Sequence, residues 1–201
     1  MECASLTTFI QSPEKFFAWL HPLAKQMYYA KPNRGHMATA ELEQKGYLKA
    51  IITQNIDRLH QVAGSLNVFE LHGSIDSASC FKCGKRFPAD VYLPKFIESA
   101  EIPRCPTCSG ILKPNITLFE EMLPMEAWQN ADELSKECDL MIVAGSSLEV
   151  VPAAAIPQQA ARNGAKTIII NYSPTHLDQD ADCLFRDDIQ NVLAKINRML
   201  A

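Results

Sequence analysis

No stretch of the 201-residue chain approaches the roughly 18 consecutive apolar residues of a membrane-spanning helix, and the amino terminus lacks a charged-then-apolar signal pattern. An excess of positive charge is also missing. Nineteen Lys and Arg against 23 Asp and Glu leave a formal charge of -4, which argues against a general nucleic-acid binder, because such proteins need a basic footprint to displace counterions from phosphate. Glycine is scarce, eight residues in all, and none builds a glycine-rich loop near the amino terminus. There is no internal repeat and no low-complexity segment. These absences point to a folded cytoplasmic protein with no dedicated nucleic-acid surface and no membrane association; oligomeric state is not legible from them.

Hydrophobic residues make up 47% of the chain and charged residues 21%, enough for a sizeable core in one domain, or one large and one small. Ser12-Pro13 reads as a helix start, with Phe16, Phe17, Trp19, Leu20 and Leu23 as apolar positions. A second helix is expected from Pro32 or Asn33 to Gln44, stopped by Gly46 in a left-handed cap. Strands are expected over Tyr47 to Thr53 and Asn67 to Leu71, joined by a short helix around Ile56 to Ala63. Cys80 to Leu112 reads as turns and short runs. Beyond Pro124 the pattern alternates: helix Met125 to Lys136, strand Asp139 to Ala144, helix Ala153 to Asn163, strand Lys166 to Asn171, an edge strand at Asp182 to Phe185, and a closing helix from Asp187 to Met199. Strands alternating with helices imply an α/β fold with a doubly wound, Rossmann-like parallel sheet.

Seven cysteines suggest a reducing compartment and one metal site better than a disulfide framework. Cys80, Cys83, Cys105 and Cys108 form two C-x-x-C pairs with 21 residues between them, each followed by turn formers, Gly84 and Ser109-Gly110. Two intervening residues let both thiolates of a pair reach one tetrahedral zinc, and four thiolates leave no position for water, so the site is structural. The organisation expected is a small zinc-binding module, residues 79–112, inserted in a nucleotide-binding domain made of residues 1–78 and 113–201.

The densest chemistry lies in Thr53-Gln54-Asn55-Ile56-Asp57-Arg58-Leu59-His60 and Glu70-Leu71-His72-Gly73-Ser74, at the carboxyl ends of two apolar runs, where open α/β sheets build their active crevices. An amide and a carboxylate together suit a carboxamide, one donating and the other accepting. The same residues read equally as a polar loop in which Asp57 caps a helix. His72 has a side chain suited to proton transfer near neutral pH on a rigid strand-end mount, although a histidine there is more often an ordinary hydrogen-bonded residue. Gly145-Ser146-Ser147-Leu148 follows the strand Asp139 to Ala144 and offers close backbone approach with hydroxyls and amides for ribose or phosphate oxygen.

Taken together, T-Q-N-I-D, L-H-G, the paired C-x-x-C, G-S-S-L and P-N-I-T-L-F-E-E-M-L-P resemble the sirtuins, NAD-dependent protein-lysine deacylases, over almost the whole chain; T-Q-N-I-D-R-L-H-Q with G-S-S-L-x-V-x-P-A-A is most similar to bacterial deacetylases. The resemblance implies His72 as general base on the ribose hydroxyls, with Asn55 and Asp57 as its catalytic companions lining the nicotinamide pocket. It also implies Gln54 facing the ribose, Ile56 beside the ring, Gly145, Ser146 and Ser147 on the dinucleotide, and Asn171 on the adenosine ribose. An acetylated lysine peptide would lie between one edge that includes Ile116, Phe119 and Glu120 and another that includes Leu148, Glu149 and Val150, paired through its main chain. NAD and zinc are the implied cofactors. Nicotinamide and O-acetyl-ADP-ribose are the implied products. The family has Gly where Glu120 stands here, so Glu120 is expected to narrow that cleft or alter its charge.

One part of the resemblance fails. Sirtuin cores carry an amino-terminal strand leading to G-A-G-[IV]-S and then D-F-R, and neither motif occurs in this sequence. That block holds the pyrophosphate and supplies a strand between Tyr47 to Thr53 and Asp139 to Ala144, so its loss leaves both neighbours unpaired. A shortened amino-terminal end, a degenerate relative that no longer turns over, and a strand supplied by a partner all account for it. The first is the expectation, and with it weak NAD binding and impaired turnover. The rival reading is a non-catalytic, zinc-containing peptide-binding module derived from a deacetylase.

Overall fold

The computed structural model describes residues 2–200. In chain order the elements are α1 (Leu6–Gln11), α2 (Pro13–Tyr29), α3 (Arg34–Gln44), β1 (Ile51–Thr53), α4 (Leu59–Val62), β2 (Val68–Glu70), β3 (Gly73–Cys80), β4 (Arg86–Pro88), α5 (Leu93–Ser99), β5 (Leu112–Ile116), α6 (Met125–Glu137), β6 (Leu140–Ala144), α7 (Ile156–Arg162), β7 (Lys166–Ile170), β8 (Cys183–Phe185) and α8 (Ile189–Met199). They fall into two compact units. The first comprises residues 1–31, 55–58 and 70–124, the second residues 32–54, 59–69 and 125–201.

The first unit is built on the antiparallel sheet β4-β3-β5. Its core gathers Phe9, Phe16, Phe17 and Leu20 from α1 and α2 with Leu93, Phe96 and Ile97 from α5 and Ile75, Ala78, Leu112 and Ile116 from the sheet. The phenylalanine rings meet edge to face, Phe9 on Phe16 at 5.2 Å and Phe17 on Phe96 at 5.5 Å between centroids, and burying each such ring contributes roughly 1.5–3 kcal/mol. Pro13 opens α2 as expected, but Ser12 accepts no side-chain cap bond. The cap lies one helix earlier, at Ser5, whose hydroxyl accepts from Thr8 N–H at 3.1 Å. The eight-residue strand β3 is missing from the sequence-based expectation. Gly-Ser-Ile-Asp-Ser-Ala-Ser-Cys is poor in β-branched residues, and its small side chains suit a strand largely buried on both faces rather than an alternating one.

The second unit carries the parallel sheet β6-β7-β8, with Met141 opposite Thr167, Val143 opposite Ile169 and Ile170 opposite Phe185, and the two-stranded pair β1-β2. Helix α3 starts where Asn33 Oδ1 accepts from Gly35 and His36 N–H, at 2.9 and 3.1 Å. It ends at Gly46, φ +80°. The expected strand from Tyr47 begins only at Ile51, because the N–H groups of Tyr47 and Leu48 are used on Leu42 O, at 3.0 and 3.1 Å, closing the helix. Likewise Leu66 and Asn67 give their N–H groups to the Glu43 carboxylate, at 2.9 and 2.7 Å, so β2 starts at Val68. Ile170, Val192, Leu193 and Ala38 pack α3 and α8 over β7, while Val143, Leu148, Ala154, Ile169 and Leu177 form a second cluster. Among the described residues β1 pairs with β2 alone and β6 with β7 alone, and Leu140 at the start of β6 is 44% exposed. No described helix is long and apolar enough to cross a membrane.

Candidate active site and zinc centre

His72 occupies the single turn between β2 and β3. Its carbonyl accepts from Thr117 N–H at 2.8 Å, and Gly73 pairs with Ile116. Gly73 has φ +67°, and a Cβ built on it would lie 2.2 Å from the Asn115 carbonyl oxygen, so no side chain is tolerated where β5 passes. The glycine after the histidine is a steric requirement that pins the His72 main chain between two strands. Within β5, Asn115 donates its Nδ2 hydrogen to Ser77 Oγ at 2.9 Å while its Oδ1 accepts from Ser79 Oγ at 2.8 Å, cross-linking β5 to β3.

Asn55, Ile56, Asp57 and Arg58 belong to the same unit as His72, and Gln54 to the other. The segment is fixed to β3: Ile56 O accepts from Ile75 N–H at 3.1 Å. Arg58, with φ +65°, forms an ion pair with Asp76 and lies 3.8 Å from the Glu70 carboxylate. Asn55 is exposed and Asp57 half-buried. In the same unit, Glu120 has φ +78° and turns its carboxylate to the start of α1, accepting from Thr7 N–H at 2.9 Å and Thr7 Oγ1 at 2.8 Å. Phe119 exchanges main-chain bonds with Ala4 and Leu6, at 3.0 and 3.1 Å, and its ring is exposed, whereas the Ile116 side chain lies in the core.

In the second unit Gly145 ends β6 at φ +68° and donates its N–H to Ile170 O at 2.9 Å. Ser146 Oγ accepts from Leu148 N–H at 3.2 Å. Leu148 has its side chain buried in the core, and Ser147, Glu149 and Val150 are exposed. Asn171, at the end of β7, donates Nδ2 to Ser173 O at 2.8 Å and receives Arg186 on its carbonyl at 2.9 Å.

The four cysteine sulfurs lie within 4.8 Å of one another, with Cys80 to Cys108 at 3.4 Å and Cys83 to Cys105 at 3.9 Å. A tetrahedron of zinc–sulfur bonds about 2.3 Å long has edges of about 3.8 Å, so the cluster fits zinc. The two knuckles repeat one backbone design. Gly84 donates to Cys80 O and Ser109 to Cys105 O, each at 2.8 Å, and Gly84 and Ser109 both have positive φ. Gly110 fills a separate need, since a Cβ there would lie 2.9 Å from the Cys80 sulfur. Burial pushes the Cys80 thiol up, but the N–H groups of Cys83 and Lys82 and the Cys108 sulfur outweigh it and bring it to about 6. Cys108, despite the Gly110 N–H, is raised to about 12 by Cys80, burial and the other sulfurs. Four thiols this close cannot all ionise without a cation to hold them.

Residues 1–152 match the Sir2 family. The chain belongs to that family. A Sir2 relative from Thermotoga maritima, named NAD-dependent protein deacetylase, is 42% identical over 90% of this chain and 73% of its own length. One of the same name from Caldivirga maquilingensis is 40% identical over 98% and 78%, and an NAD-dependent protein deacylase 2 from Archaeoglobus fulgidus is 43% identical over 97% and 77%. Among solved structures, a Sir2 with a p53 peptide and NAD+ superposes with a TM-score of 0.89 at 39% identity, covering 97% of this chain and 81% of that one. Sir2Tm bound to a propionylated peptide gives 0.91 at 38%, covering 98% and 83%. The fold is therefore the Rossmann-like α/β fold of Sir2 proteins with a four-cysteine module.

Proposed function

We infer that the chain is an NAD-dependent protein-lysine deacetylase that removes acetyl groups from lysine side chains, releasing nicotinamide and forming O-acetyl-ADP-ribose. The observation that carries this reading is His72 locked at the β2–β3 corner, with Asn55–Asp57 tied to the same strand, in a chain about 40% identical to proteins named as such deacetylases. Bound NAD supplies the reactive ribose carbon and the nicotinamide leaving group. His72 accepts a proton from a ribose hydroxyl through its imidazole. Asn55 and Asp57 hold the carboxamide, Ile56 packs beside the ring, Gln54 faces the ribose, Gly145, Ser146 and Ser147 contact the dinucleotide, and Asn171 the adenosine ribose. The hydroxyls of Ser146 and Ser147 are donors suited to that ligand, and glycine at 145 permits close backbone approach.

The acetylated peptide pairs through main-chain groups of Ile116, Phe119, Glu120, Leu148, Glu149 and Val150. Zinc on Cys80, Cys83, Cys105 and Cys108 supplies only rigidity, being closed to water. Residues 79–112 are the zinc-binding module, inserted in a nucleotide-binding domain of residues 1–78 and 113–201. Four of the seven cysteines gathered at one metal-type site support a reducing compartment, the cytoplasm. The relatives named as NAD-dependent protein deacetylases support the enzyme rather than the non-catalytic alternative. The test is nicotinamide release from NAD in the presence of an acetyl-lysine peptide. In a version carrying the amino-terminal G-A-G-[IV]-S block, His72→Ala should lower turnover about 10²–10⁴-fold while leaving peptide and NAD binding largely intact; near-normal release by that variant would remove His72 from its role.

A further inference from the structure

We propose that Arg58 is a positioning residue that sets the nicotinamide-binding segment against the strand corner carrying His72; this rests on the function inferred above. Arg58 follows Asn55, Ile56 and Asp57 directly. Its guanidinium pairs with Asp76, four residues beyond His72 on β3, and reaches Glu70, two residues before His72 on β2, at 3.8 Å. One side chain thus bridges the two strand positions that bracket the histidine. A guanidinium is suited to this because its planar fork holds two carboxylates at fixed angles, where an ammonium is a point charge.

Three further observations show that the arrangement is built. Arg58 sits at φ +65°, a conformation unfavourable for a non-glycine residue that persists only where the surroundings hold it. The main chain supplies a second tie next door, Ile75 N–H to Ile56 O at 3.1 Å. Asp76 is itself oriented, its N–H donating to Ser74 Oγ at 3.2 Å. Its charge is also felt by the buried hydroxyl of Tyr92, which burial and Asp76 together push up and which donates to Ile75 O at 2.6 Å. Without Arg58, the Asp76 and Glu70 carboxylates lose this counter-charge, and the segment bearing Asn55 and Asp57 loses a side-chain tie to β2 and β3.

Arg58 and Asp76 side chains are more than a third exposed, so the pair adds little to global stability; its effect is local. That separates positioning from folding. Arg58→Gly removes the guanidinium and at the same time suits the positive φ, so the melting temperature should hold while amide hydrogen exchange at Asn55 to Asp57 accelerates by about tenfold or more and exchange in α2 and β7 does not. Nicotinamide release should fall about 10–100-fold, with weaker inhibition by added nicotinamide, the scale expected for a displacement of about 1 Å at a reacting centre. Asp76→Asn approaches the same contact from the other side and should give the same pattern, and the double variant should be no worse than either single one. Arg58→Lys, which keeps the charge and loses the fork, should fall between. Unchanged exchange at Asn55 to Asp57 in both Arg58→Gly and Asp76→Asn, or losses that multiply in the double variant, would overturn the proposal. The exchange experiment judges the clamp even where the parent chain turns over weakly, and absence of nicotinamide release from the parent carrying an added G-A-G-[IV]-S block would refute the function instead.

Discussion

Replacing Gly73 by alanine tests whether the His72 corner is set by backbone packing. The added methyl would sit 2.2 Å from the Asn115 carbonyl oxygen and 3.4 Å from the Ile116 Cα, at φ +67°. Ordinary contact needs about 3.5 Å, so β5 and the corner must separate by more than about 1 Å. The left-handed conformation costs alanine about 1–2 kcal/mol. Separation breaks the Thr117 N–H to His72 O bond of 2.8 Å, and leaving such groups unpaired costs about 1–3 kcal/mol. Together these give a destabilisation of about 2–5 kcal/mol, a large share of the roughly 5–15 kcal/mol that holds a domain together. Gly46→Ala is the control: it also has positive φ, +80°, but meets nothing within 4 Å, so it should lose only the conformational part. Urea denaturation followed by circular dichroism reads both, and Gly73→Ala should in addition lose nicotinamide release well beyond its loss of folded protein. If Gly73→Ala unfolded at the same urea concentration as Gly46→Ala, close contact with β5 would not be what fixes His72.

Two further outcomes follow from the zinc centre and the acid behaviour. Protein purified without chelator should contain one zinc per chain by elemental analysis, and Cys80→Ser should lose it and open residues 79–112 to protease while the second unit stays resistant; metal-free parent protein would refute the assignment. At the other end of the chain, burial pushes the Asp178 carboxyl up, but Thr175 N–H and hydroxyl and the Arg186 guanidinium outweigh it and hold it below the ordinary range. A depressed folded-state value means that this contribution is complete above the unfolded carboxylate pKa of about 4 and disappears as pH falls through the lower folded value. Asp178→Asn should therefore lower stability near neutral pH and narrow the gap to wild type on acidification; a gap that widened in acid would contradict the sign.

The chain's own residues determined the class of fold and the chemistry. Two C-x-x-C pairs fix a zinc centre by local geometry, since each knuckle closes through bonds between residues four apart. The helix starts near Pro13, Asn33 and Asp187, the last capped one residue on at Asp188, and the alternation after Pro124 are legible for the same reason: caps and apolar periods are local in sequence. What only the tertiary structure decided involves partners far apart in the chain. Strands β1 and β2 are shorter than the apolar runs suggest because α3 claims their first N–H groups, Tyr47 and Leu48 through Leu42, Leu66 and Asn67 through Glu43. Strand β3, with its small residues, carries no strand signature of its own and exists because β4 and β5 pair on either side. Glu120 reads as a charge facing the cleft, yet its carboxylate is spent on Thr7, 113 residues earlier. The two carboxylates near Arg58, 12 and 18 residues on, are brought to it only when β2 and β3 turn at His72. Sequence names the groups that do chemistry because their type is intrinsic to each residue; their distances are set by which distant backbones pair, and that is a property of the folded chain alone.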